Sequence, residues 1–173
     1  MPSEAGPDWV EAEVIEVCRP DGPDHPLLRP HVVVLRERDG TRRLPMYTGS
    51  AQAIALACSL DAEEMPRPKA YQLAADLLGA TASRLAEVRI TALAEGVFHA
   101  VAVVEGPGGA VEVDARPSDA INLAVLAGVP IRAMPRSSTT RWSTATLSGR
   151  STRRVWRTWR LRSGSAGPTS RPG

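Results

Sequence analysis

The 173-residue chain predicts an α+β fold: a mixed, mostly antiparallel sheet with two to three helices. Three observations carry this. β-branched runs are grouped and joined by tight-turn signals, such as Asp39-Gly40 after HVVVLRE. Alanine- and leucine-rich runs of helical length follow those groups and are bounded by proline and glycine. The order is not a regular strand–helix alternation, which argues against a doubly wound parallel sheet.

The elements follow in order. Residues 10–17 alternate loosely with Glu11, Glu13 and Glu16, as a half-exposed strand does. CRPDGPDHPLLRP (18–30), with its prolines, reads as a loop. HVVVLRE (31–37) and RRLPMY (42–47) form a hairpin across RDGT. Residues 50–58 are the first helix, with Gly49 and Ser50 at its start. RPKAYQLAADLLG (67–79) is the second, with Pro68 in its first turn and Gly79 as its C-terminal cap. Strands at 84–91, 97–104 and 111–114 are joined through ALAEG and EGPGG. The third helix spans 117–127 and ends at Gly128, and VPIRAM (129–134) closes the domain as a short strand.

Two echoes suggest related β-then-helix halves. Arg67-Pro68 and Arg116-Pro117 each open a helical stretch, and AIALA (53–57) resembles AINLA (120–124). One helix lies between strands free to pair in parallel, so the sheet is expected to be mixed.

Charge divides the chain. Residues 1–135 hold 12 Lys+Arg against 19 Asp+Glu, a net of −7, whereas residues 136–173 hold nine Arg and no acid. The organisation is therefore a flexible N-terminus (1–9), a domain (10–135) and a basic tail (136–173). The tail lacks apolar periodicity and reads as disordered. Its arginines, with Trp142, Trp156 and Trp159, suit a nonspecific nucleic-acid arm. The preferred explanation is plainer: the acid-free mixture resembles a GC-rich gene read out of frame.

No apolar run is long enough to span a bilayer and the acidic N-terminus is no secretory signal, so a cytoplasmic protein without membrane contact is expected. Cys18 and Cys58 sit in apolar runs without metal-ligand spacing and suit a reduced pair.

The chemistry concentrates in VEVDARPSDAINLAVLAG (111–128). On a strand, Val111, Val113 and Ala115 face the core while Glu112, Asp114 and Arg116 face out. Pro117 opens a helix whose free N–H groups Ser118 or Asp119 would cap. Capping alone explains Pro117, Ser118 and Asp119, and Arg116 reads also as a plain salt-bridge partner of Asp114 or Asp119. Capping does not require Asp114 and Arg116 at the same corner. Two carboxylates and a guanidinium there would suit a divalent cation, Mg or Mn, and a phosphate.

LPMYTGSAQAIALA, MPRPKAYQLAADLLGA, EVRITALAEGVFHAVAVVE and VEVDARPSDAINLAVLAGVPIRAM, in that order, resemble the bifunctional nuclease (BFN) domain family over residues 10–134. The block from Asp114 to Ala120, followed by an apolar helix and GVPI, is the most specific piece. The resemblance implies a compact α+β domain that is often a homodimer, with nuclease activity on DNA and RNA. The chain departs from the family pattern at the first helix. Where a glutamate commonly follows the glycine, TGSAQA has Ser50 and Gln52 and no acid.

Asp114, Arg116 and Asp119 are thus the expected catalytic residues, with Asp114 and Asp119 as cation ligands. Arg67, Lys69 and Ser118 are expected to bind substrate. The competing reading is a non-enzymatic, dimeric binding or regulatory module. Carboxylates converging in an open cleft favour the enzyme. Asp119 on the helix cap, with Asp114 paired to Arg116, favours the module. His99 shares a face with Val97, Val101 and Val103, and is read as packed in preference to a general base, an order that reverses if it is exposed beside Asp114. Tyr47 and Tyr71 read as partly buried packing residues before base-stacking ones, and His25 and His31 have no companion ligands.

Overall fold

The computed structural model of the chain describes residues 9–20, 30–38, 40, 42–62, 67–94, 97–134 and 149–151. The strands are β1 (Val10–Pro20), β2 (His31–Glu37), β3 (Arg43–Thr48), β4 (Arg84–Ala94), β5 (Val97–Gly106), β6 (Gly109–Ala115), β7 (Ile131–Ala133) and β8 (Gly149–Ser151). The helices are α1 (Ser50–Leu60), α2 (Ala70–Ala80) and α3 (Pro117–Ala127). The chain is α+β with a mixed sheet ordered β3-β2-β1-β7-β4-β5-β6, and β8 pairs with β1 off that path.

The expected halves are visible in the topology. β1-β2-β3 is an antiparallel meander that leads into α1, and β4-β5-β6 is another that leads into α3. β7 joins them, antiparallel to β1 and parallel to β4. The parallel pair arises because α3 carries the chain from β6 back across the sheet before β7 begins.

One face of the sheet carries the helices. Val17, Leu35, Leu44, Val88, Ile90 and Ala100 meet Leu56 of α1 and Ile121 of α3 in a single core. α1 buries Ala53, Leu56 and Ala57, and α3 buries Ala120, Ile121 and Ala124. These one-, three- and four-residue spacings form one helical stripe. Alanine on both stripes lets α1 and α3 pack side by side. Full burial of a side chain such as Leu56 or Ile121 contributes about 1.5–3 kcal/mol.

The structure corrects several boundaries. β1 continues through Cys18 to Pro20, where a loop was expected, because β2 and β8 both pair with its last turn of ladder. Pro68 precedes α2, whose N-cap is Lys69, whereas Pro117 is inside the first turn of α3; the two Arg-Pro pairs are therefore not equivalent. Gly79 lies within α2, and Thr81 is the C-cap. Gly128 does end α3, at φ 66°, a left-handed conformation that glycine adopts without a Cβ clash. Within the basic tail, residues 149–151 form β8; the rest of the tail and residues 1–8 lie outside the described residues.

Val111 and Val113 sit opposite Val104 and Ala102, on the helix-bearing side as expected. They are nevertheless exposed, at 59% and 49%, because β6 is the sheet edge and the helices pack over β4 and β5. On the opposite face Glu87 accepts hydrogen bonds from Arg89 at 2.5 Å and Arg132 at 2.6 Å, tying β4 to β7. Burial opposes ionisation of Glu87, but the Arg132 and Arg89 bonds outweigh it and hold its carboxyl below the ordinary value. Among the described residues, no helix is long and apolar enough to cross a membrane.

Candidate functional site

The first turns of the three helices meet at one corner. Asn122, buried in α3, donates from Nδ2 to the Gln52 carbonyl in α1 at 3.1 Å and to the Ser118 carbonyl at 2.8 Å. Tyr71, in the first turn of α2, donates its hydroxyl to Asp119 Oδ1 at 2.5 Å. Arg116 Nε donates to Asp119 Oδ2 at 2.5 Å. Asp119 is thus held by a phenol on one oxygen and a guanidinium on the other, with its side chain 24% exposed.

None of the three helices has a side-chain cap. The expected capping by Ser118 or Asp119 is therefore absent. Arg116 occupies the N-cap position of α3, and its carbonyl accepts from the Asp119 and Ala120 amides. Pro117 has no N–H, and Asp119 is free to turn sideways toward Tyr71. The α2 start is more open. The Lys69 carbonyl accepts the Leu73 amide, which leaves the N–H groups of Ala70, Tyr71 and Gln72 without an intrahelical partner.

Tyr71 is half-buried. Burial first, then the Asp119 hydrogen bond and charge, push its phenol well above the ordinary tyrosine range, against a smaller opposing pull from Arg116. It stays a protonated donor at any physiological pH. Arg116 is exposed, and the Asp119 hydrogen bond raises its already high pKa.

A cleft of about 540 Å³ opens beside this corner. Ala55, Cys58 and Ser59 of α1, Val125 and Leu126 of α3, and Arg67, Lys69, Tyr71 and Gln72 at the α2 start line it. Tyr71 is therefore shared: it lines the cleft, and its hydroxyl holds Asp119.

The structure brings together Arg116, Ser118 and Asp119, and it sets Arg67 and Lys69 beside them across Tyr71. It does not bring Asp114 there. Ala115 packs on the helix-side core, so the preceding residue, Asp114, projects from the other face of the sheet, paired in register with Val101. The two-carboxylate cation site expected at Asp114 and Asp119 is thus not assembled. Among the described residues, no group of three or more His, Cys, Asp or Glu is placed to hold a metal ion. Neither arrangement posed for the enzyme or the module occurs: the carboxylates do not converge, Asp119 is not a cap, and Asp114 is not paired with Arg116.

His99 is exposed, a correction to its expected packing. It lies on the helix-free face with Asp114, because its neighbour Ala100 is in the core. His31 is buried and its Nδ1 lies 3.4 Å from Ser50 Oγ at the start of α1; burial, with Arg19 nearby, lowers its pKa. Tyr47 is 77% exposed, so it is not the packing residue expected. The sequence reading named Tyr71 but not its bond to Asp119, and it did not single out Asn122. A buried asparagine inside the apolar run AINLA was the available signal for Asn122.

A model of the bifunctional nuclease domain matches residues 33–137, which include Arg67, Lys69, Tyr71, Arg116, Ser118 and Asp119. The chain belongs to the bifunctional nuclease domain family. Among its relatives, Uncharacterized protein Rv1829 of Mycobacterium tuberculosis is 41% identical over 100 residues, 58% of this chain and 59% of the relative. Bifunctional nuclease 2 of Arabidopsis thaliana is 31% identical over 118 residues, 65% of this chain and 36% of the relative. Bifunctional nuclease 1 of the same plant is 30% identical over 118 residues. The chain thus spans well under two thirds of the length of these relatives. The family match ends at residue 137, two residues into the acid-free tail, and β1 lies before it.

Proposed function

We propose that the chain is a phosphodiester hydrolase acting on DNA or RNA at the corner of Arg116, Ser118 and Asp119. The observation that carries this is Asp119, held by Tyr71 and Arg116 beside a cation-lined cleft, in a domain of the bifunctional nuclease family. Phosphodiester hydrolysis needs a positioned phosphate, an oriented water and relief of charge on the phosphoryl oxygens. Arg116 supplies a guanidinium at the corner, and Arg67 and Lys69 supply cations across Tyr71. Asp119 retains lone pairs beyond its two hydrogen bonds and orients the water, accepting its proton. Water oxygen bonds to phosphorus, one P–O ester bond breaks, and the departing oxygen takes up a proton from solvent while Asp119 releases the one it accepted, leaving a phosphate monoester, a hydroxyl and the starting carboxylate. No step is routed through a divalent cation, because Asp119 is the sole carboxylate described at the corner.

The partner of second rank is another copy of this chain. β6 is an open sheet edge with exposed Val111 and Val113, and α2 exposes Leu73 and Leu77. A two-fold pairing would cover that edge.

The test of activity is incubation of the full chain with end-labelled single-stranded DNA and RNA, in Mg²⁺, Mn²⁺ or EDTA. Cleavage products ending in phosphate support the reading. Binding without cleavage under all three conditions overturns it and favours a binding or regulatory module.

A further inference from the structure

The cleft between the three helices has a second property that hydrolysis alone does not demand. Part of its lining is apolar, formed by Ala55, Cys58, Val125 and Leu126. Arg67 and Lys69 also line it, and none of its described lining residues is acidic, although residues 1–135 carry a net charge of −7. Neither cation forms an ion pair with another described residue. The uncapped amides of Ala70, Tyr71 and Gln72 open the same helix start. Helix-start amides, a guanidinium and an ammonium together suit a phosphate. About 540 Å³ lies within the roughly 300–1,000 Å³ range of small-molecule sites, far more than a phosphate fills.

Tyr71 gives the remaining space its chemistry. Tyr71 lines the cleft, and its hydroxyl is bonded to Asp119, which restrains the ring. A fixed aromatic ring beside an apolar wall is a stacking surface for a nucleobase. Gln72 donates Nε2 to Asp76 at 2.9 Å, which leaves its Oε1 to accept from an exocyclic amine.

We infer that this cleft binds one nucleoside monophosphate unit, its phosphate on Arg67, Lys69 and the α2 amides and its base against Tyr71 and the Ala55–Val125–Leu126 wall. The inference rests on the nuclease reading for the origin of the unit. A base seated there is out of any duplex, so the site selects unpaired strands over double helices. Because Tyr71 also holds Asp119, a seated nucleotide lies next to the hydrolytic corner, and its occupancy positions the neighbouring phosphodiester.

The test is calorimetric titration of the full chain in EDTA with AMP, adenosine and inorganic phosphate. AMP is expected to bind at least about tenfold tighter than either fragment, since it engages both halves of the cleft. Ala55→Trp, which fills the apolar half, reduces AMP to the affinity of phosphate. The double variant Arg67→Ala/Lys69→Ala weakens AMP and phosphate together by about tenfold or more. Ser59→Leu, a smaller obstruction, replaces Ala55→Trp if the circular dichroism melt of that variant departs from the parent's. AMP binding no tighter than phosphate, or unchanged by obstruction of the cleft, overturns the inference. A 5′-phosphorylated deoxyadenosine tetranucleotide then identifies the source. If it displaces AMP, the unit belongs to a strand; if it does not, the ligand is a free nucleotide, and either result keeps the cleft as a nucleotide site. AMP binding without any strand cleavage overturns the nuclease reading alone, and cleavage without AMP preference overturns the cleft alone.

Discussion

Tyr71 and Asp119 are 48 residues apart in sequence and 2.5 Å apart in space, and the candidate chemistry depends on that contact. The phenol fixes one carboxylate oxygen while Arg116 fixes the other, so Asp119 has little rotational freedom. Tyr71→Phe removes the first restraint without changing ring shape. It should lower kcat by roughly 10- to 100-fold, with KM changed little, in steady-state cleavage assays. A pH signature accompanies this. Burial and Asp119 raise the phenol pKa in the folded state, so the folded chain holds that proton more tightly than the unfolded chain. The stabilisation is complete below the ordinary phenol value of about 10 and is lost as pH rises beyond it. The advantage of the parent over Tyr71→Phe, read as a difference in urea midpoint, should therefore hold up to about pH 9 and shrink progressively as pH rises above about 10. Residue types at the corner were legible in the sequence, because Asp-x-Arg-Pro-Ser-Asp at a strand-to-helix junction is a rare concentration of charge. The Arg116–Asp119 ion pair was one of the readings the sequence offered, but the Tyr71 partner was not. Local rules favour capping by Asp119, and only the packing of α2 against α3 supplies the phenol that draws it away.

At the scale of elements, helix ends decide where the site opens. α3 begins with proline at its first position and stops at Gly128, whose φ of 66° follows from the sequence pattern of apolar run and glycine. Gly128→Ala should destabilise the chain by about 1 kcal/mol, measured by denaturant unfolding, since an alanine there meets the left-handed penalty. The same rule misplaced the end of α2, because Gly79 is accommodated within the helix and the turn passes instead through Thr81 and Ala82, the latter at φ 53°. Strand positions were legible wherever β-branched runs met turn residues, and His31–Glu37 was read with its observed ends. The faces of β6 were half legible. Alternation put Val111 and Val113 on the helix side, but whether that side is covered depends on strand order, which no local pattern contains.

The whole molecule is acidic in its domain and basic in its tail, which bears on how it meets nucleic acid. An acidic body does not draw a polyanion by long-range attraction. Binding must instead come from local donors, and the cation-lined cleft is the described place where they gather. The open β6 edge sets the expected assembly. Val113→Lys places a charge on that edge and should convert a dimer to a monomer in size-exclusion chromatography with light scattering. A parent chain already monomeric at micromolar concentration would remove the homodimer from the account. The two-meander plan was legible through the echo of AIALA and AINLA, and those segments do pack together as α1 and α3. The role of β7 between the meanders was not, since three residues carry no pairing code of their own.

The central claim is that chemistry occurs at the helix corner and not on the open face of the sheet, which Asp119 and Asp114 separate cleanly. The most direct measurement is the single-turnover rate of single-strand cleavage by the full chain, its Asp119→Asn variant and its Asp114→Asn variant, each checked for parental unfolding behaviour. The account predicts a loss of at least about 100-fold for Asp119→Asn and a rate within about twofold of the parent for Asp114→Asn. Parental activity in Asp119→Asn, or loss in Asp114→Asn alone, would contradict it and move the active site to the helix-free face.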